Sequence, residues 1–224
     1  MFDGAKPKGL RHTDLVRGSA GKASPGFLGL LHLTDQQAEL VAILTTVQLP
    51  IPWESFGLPP ALQTRSTCLI DGPPAWAWDE AGPELGIPFI EEVHGEEAPG
   101  WDLDHVVILV PDLDATAQQL VATIGAPRLR TVVKDRPTAF YRVGPLLEVI
   151  QSPVRAPALF GIALVTTDSL EVTVLNWRSR GLDVSRPRPA LQAGRRIFTV
   201  RGTEAGLAVM SPDGPILSTK KISG

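Results

Sequence analysis

The spacing of apolar and polar positions changes period several times along the chain, and the order of changes repeats. Residues 103–112, LDHVVILVPD, form a dense β-branched run that stops at Pro111-Asp112, which predicts a buried strand. Leu113, Ala117, Leu120, Val121 and Ile124 then fall on one helical face, with Asp112 placed to cap the helix and Gly125 to stop it. Three strand-like segments follow at 128–135, 138–143 and 145–151, the last two joined by a tight turn at Gly144.

The same order begins again at once. Residues 158–168, ALFGIALVTTD, read as a strand, and 169–182, SLEVTVLNWRSRGL, as a helix. Asp168 and Glu171 suit its capping box, Leu170, Val174 and Trp177 make its apolar stripe, and Gly181 ends it. RRIFTV (195–200) and GLAVMSP (206–212) are the strands that follow, and the closing segments EVIQSP and LAVMSP are alike. A fixed succession repeated in tandem is the mark of a duplicated unit.

A weaker third copy is read upstream. It consists of a strand at 26–33, a helix at 34–47 capped by Thr34 and Gln37, a proline-rich loop at 51–60 and a strand at 63–70. A loop at 71–86 and a strand at 87–95 complete it. The expected organisation is therefore a mobile arm at 1–25, a divergent βαβββ-like module at 26–100, two modules at 101–153 and 154–214, and a tail at 215–224. One strand, a helix and three strands cannot cover both faces of a small curved sheet. Two such units side by side make a half-open mixed-sheet barrel of α+β class with helices outside and a groove inside.

Composition narrows the function. The chain has 224 residues, 43% of them hydrophobic and 20% charged, as in an ordinary globular protein. The net charge is −3 and no block of basic residues occurs, so a nucleic-acid partner is not expected. Cys68 is the single cysteine, which excludes an intrachain disulfide and a cysteine-rich zinc site and suits a reducing cytoplasm. The N-terminal segment has no apolar core of the signal-peptide kind, and no apolar run reaches membrane-spanning length. GSAGKAS (18–24) lacks the glycine spacing and hydroxyl residue of a phosphate loop, and no nucleophile elbow or dinucleotide fingerprint is present.

LDHVVILVPDLDATAQQL followed by AFYRVGPLLEVIQ resembles the first module of the vicinal-oxygen-chelate superfamily, which includes glyoxalase, extradiol dioxygenase and bleomycin-resistance proteins. GIALVTTDSLEVTVLNWRSRGL resembles a second module. The resemblance implies a small-molecule groove with metal ligands on the first and last strand of each module. These positions hold His105 and Glu148 in the first module, but Gly161 and either Leu207 or Ala208 in the second. Upstream, Glu91 matches the last-strand position and would complete a three-ligand set with His105 and Glu148.

A divalent ion (zinc, nickel, manganese or iron) would leave positions open for substrate oxygens, and Glu148 could instead remove a proton next to a carbonyl. The plainer alternative is that His105 and Glu148 hydrogen-bond to each other or to backbone. Tyr141, Trp76 and Trp78 are candidates for the groove wall, although tryptophans so placed more often cover the edge of a core. Three readings stay open: metal-assisted lyase, isomerase or dioxygenase chemistry on a small molecule, sequestration of a small molecule without turnover, and a degenerate module serving only assembly. A homodimer is compatible with each.

Overall fold

The computed structural model describes residues 42–212. The sequence-derived arm, the strand at 26–33, most of the helix at 34–47 and the tail lie outside the described residues.

The first sheet has five strands: β1 (Leu44–Leu49), β2 (Ala61–Gln63), β3 (Cys68–Asp71), β4 (Ala75–Trp78) and β5 (Glu96–Glu97), in the order β4-β1-β3-β2-β5. Four upstream expectations change here, the first being that 63–70, read as one strand, is divided between β2 and β3, which pair antiparallel. Residues 44–47, read as the end of a helix, are strand: β1 pairs parallel with β3 and antiparallel with β4, buried on both flanks. The segment 71–86 is not all loop, because Trp76 and Trp78 lie on β4, where tertiary pairing outweighs the flanking Gly-Pro signals. Residues 87–95 carry only an isolated bridge between Trp76 and Phe89, and pairing resumes at Glu96.

The second sheet holds the tandem repeat. Its first half comprises β6 (Trp101–Val110), α1 (Leu113–Ile124), β7 (Leu129–Val133), β8 (Arg136–Arg142) and β9 (Leu146–Gln151). The second half comprises β10 (Ala158–Thr166), α2 (Leu170–Ser179), β11 (Arg188–Pro189), β12 (Arg196–Val200) and β13 (Gly206–Met210). Strand order is β11-β12-β13-β10-β6-β9-β8-β7, so each half runs first, last, third, second outward from a central seam. At the seam β6 and β10 pair antiparallel, while β9 and β13 lie parallel to the first strand of their own half. The outer strands β7 and β11 are edges, and the sheet is half-open rather than closed. A six-residue link, 152–157, with Pro153 and Pro157, joins the halves.

Local chemistry explains the elements. The Asp112 carboxylate accepts from the backbone N–H groups of Asp114 and Ala115, satisfying donors that α1 leaves open, and Leu113, Ala117, Leu120 and Ile124 are buried. On α2 the cap position is Ser169 rather than Asp168, whose N–H is instead bound by the Thr166 hydroxyl. Leu170, Val174 and Trp177 are buried there as the stripe predicts. Trp177 stacks on Trp101 and meets Phe56 and Phe198 edge-on, so one aromatic cluster ties α2 to the second sheet and to the helical turn at Trp53–Phe56 that follows β1. No described helix is long and apolar enough to cross a membrane.

Candidate functional site

Strand register decides which side chains share a face. Across β6 and β9, His105 lies opposite Leu146, Val107 opposite Glu148 and Leu109 opposite Ile150. These six therefore project from the sheet face away from α1, whereas Val106, Ile108, Leu147 and Val149 are buried on the helix side. From β8, Phe140 opposes Glu148 and Arg142 opposes Leu146, which adds both to the open face.

The adjacent Asp104 should point the other way, but a bulge intervenes. His105 pairs with Ala163 and Leu103 with Leu164, which leaves Asp104 as the extra residue. It turns toward its neighbour, so its carboxylate lies 2.7 Å from His105 Nδ1. Its other oxygen is 2.6 Å from Nη2 of Arg195, a residue of the second half. Arg195 is 8% exposed and donates from Nε to the Ser211 carbonyl at 3.0 Å. On the far side of the ring, His105 Nε2 is 3.5 Å from Glu148 Oε2. The result is a continuous line, Arg195–Asp104–His105–Glu148, crossing the central seam.

The electrostatics of the two carboxyls differ in sign. Burial alone would raise Asp104, but hydrogen bonds from His105 and Arg195, with their positive fields, outweigh it and hold the group below its ordinary value. For Glu148, burial dominates and pushes the carboxyl up, opposed only in part by the fields of His105 and Lys134. An ionised Asp104 fixes the His105 proton on Nδ1 and leaves the Nε2 lone pair facing Glu148.

The structure thus brings His105 and Glu148 together and separates the other candidates from them. Glu91 is exposed in the loop after the Phe89 bridge, and no group of three or more metal-ligating side chains forms among the described residues. Trp76 is fully buried, Trp78 is 9% exposed, and the two rings meet edge-on in the first sheet's core instead of walling a groove. Tyr141 pairs with Leu147, on the helix side, and is fully buried; Phe140 and Arg142 take the open face instead. In the second half, register places Ala208 opposite Ala163 and assigns Leu207 to the core. At Gly161 a Cβ would stand 2.1 Å from the Gly206 carbonyl oxygen, so no side chain fits that position.

Sequence reasoning missed Asp104 and Arg195. Strict alternation assigns Asp104 to the wrong face, and nothing local marks a bulge. Arg195 reaches the site only through the pairing of the two halves.

No family model matches this chain, and no curated protein does. Among solved structures it is similar to methylmalonyl-CoA epimerase from Mycobacterium tuberculosis, with 20% identity and a TM-score of 0.42 over 49% of this chain and 87% of that one. A Streptomyces coelicolor methylmalonyl-CoA epimerase in complex with 2-nitronate-propionyl-CoA gives 19% identity and a TM-score of 0.41, over 50% and 97% of the two chains. A hypothetical protein from Bacillus halodurans C-125 gives 16% identity and 0.42, over 50% and 94%.

Proposed function

We propose that the open face around His105 and Glu148 binds a small carbonyl compound and moves a proton next to its carbonyl, an isomerase- or lyase-type step. The carrying observation is the oriented imidazole: Asp104 holds Nδ1 at 2.7 Å, so Nε2 is the basic nitrogen beside Glu148. In this reading Nε2 accepts the proton from carbon, and the imidazolium is stabilised by Asp104, itself held by Arg195. Glu148, whose burial favours the protonated form, donates to the carbonyl oxygen as negative charge develops there. Val107, Leu109, Leu146, Ile150 and Phe140 suit an apolar substrate body.

A divalent ion fits this face poorly. His105 Nε2 and Glu148 Oε2 are two donors, while Gly161, Ala163 and Ala208 across the seam supply none and Glu91 is elsewhere. A resident catalytic ion takes about three protein ligands, so no step here is routed through a metal. The same missing donors favour a second reading, binding without turnover. Because the two halves pair within one chain, a second copy is not needed to complete the sheet. The buried free thiol of Cys68, raised by burial, agrees with a cytoplasmic location.

The test is solvent exchange. The full chain is incubated in D2O with a panel of α-substituted carbonyl compounds and deuterium uptake at the α-carbon is followed by NMR. Uptake that is abolished in His105→Ala and strongly reduced in Glu148→Gln supports proton transfer. Saturable binding without uptake supports sequestration instead. Uptake unchanged in both variants rejects the site.

A further inference from the structure

We infer that a second, anion-binding site lies behind α2 and takes a small molecule carrying a diphosphate or similar paired oxyanion. Between Arg178 and Arg201 the chain holds seven arginines against one acid, Asp183, although the whole protein is net negative. Spread over 24 positions they form no block in sequence. Folding gathers three of them, Arg178, Arg186 and Arg201, with Asp183 and Ser185, around an open cleft of about 600 Å³.

The cleft is built on a fixed frame. Val184 is buried and bridges Val200, while the Ser185 N–H donates to the Thr199 carbonyl and the Arg201 N–H to the Asp183 carbonyl. The Arg178 guanidinium is tied through Nη2 to the Val184 carbonyl at 2.8 Å, and this exposed residue keeps further N–H donors on the fork. Arg201 lies 3.4 Å from the Asp183 carboxylate, a loose pair that an incoming oxyanion can replace. The Arg186 side chain has no ion-pair or hydrogen-bond partner among the described residues.

Every cation in this cleft is arginine and none is lysine. Planar guanidinium forks match the paired oxygens of phosphoryl groups, which a point charge does not. The net charge of −3 gives the molecule as a whole no attraction for anions, so saturable binding has to come from this local field. The cleft shares no lining residue with the His105–Glu148 face, and the inference stands without the proposed reaction.

Calorimetric titration of the full chain with inorganic pyrophosphate, at constant ionic strength and with sulfate as control, tests it. The expected result is saturable binding at one site, weakened about tenfold by Arg186→Ala, the loss of one charge-assisted contact, and unchanged by His105→Ala. Arg201→Ala weakens it as well. Absence of saturable binding, an equal response to sulfate, or binding that survives Arg186→Ala overturns the inference. Loss in His105→Ala would assign the anion to the other face and overturn it too.

Discussion

Glu148 and Asp104 are carboxylates in one short line of contacts, yet burial and partners shift them in opposite directions. The linkage signs follow. Asp104 is lowered, so its contribution is full above the ordinary carboxyl value of about 3.9 and is lost as pH falls through its lower folded value. Glu148 is raised, so its contribution is present below about 4.3 and is lost as pH rises through its higher folded value. Glu148→Gln is therefore expected to raise the melting temperature at neutral pH, with the gain vanishing near pH ~4; thermal scans across that range check it. Tyr141 offers a second measurement. Its hydroxyl is buried without a hydrogen-bond partner among the described residues. Tyr141→Phe should stabilise the protein or leave it unchanged, within about 1 kcal/mol. A loss well beyond that in urea unfolding would show that the hydroxyl is paired.

At the scale of elements, close backbone approach and capping set the sensitive points. Gly161→Ala places a methyl group against the Gly206 carbonyl and must push β10 from β13, so a loss of about 2 kcal/mol or more is expected in denaturant unfolding. Asp112→Ala removes the acceptor for two N–H groups of α1 and should cost about 1 kcal/mol by the same measurement. Both elements of the repeat were legible because their periods are strong: the β-branched run of β6 and the stripe on α1 need no tertiary information. The pairing of His105 with Glu148 was legible only through the resemblance, which assigns both to ligand positions of one module; alternation within each strand was compatible with it, and the register of β6 on β9 puts both on one face. What escaped was decided by contacts remote in sequence. Residues 44–47 are strand because β3 and β4 flank them. Asp104 joins the site because of a single unpaired residue opposite Ala163 and Leu164. Tyr141 faces the helices because its register follows Leu147.

For the molecule as a whole, Arg195 is the contact that makes the two halves answerable to each other. A donor from the second half holds the carboxylate that orients an imidazole in the first. Arg195→Leu should leave the partly buried Asp104 without its guanidinium partner and only His105 beside it, a change expected to destabilise by about 1–3 kcal/mol in denaturant unfolding. It should also shift His105 away from the single tautomer with its proton on Nδ1, which 15N NMR of the imidazole reads directly. An unchanged tautomer would separate the halves functionally.

The join at the centre of the large sheet carries one last implication. Because β6 and β10 belong to one polypeptide and are linked by six residues, each meets the other at an effective concentration on the order of millimolar, whatever the dilution of the protein. Dissociation is not available as a failure mode, so the second half can shed polar side chains without risking the assembly. Its glycine and alanines face a histidine and a glutamate across a boundary that two separate subunits would have to defend with affinity.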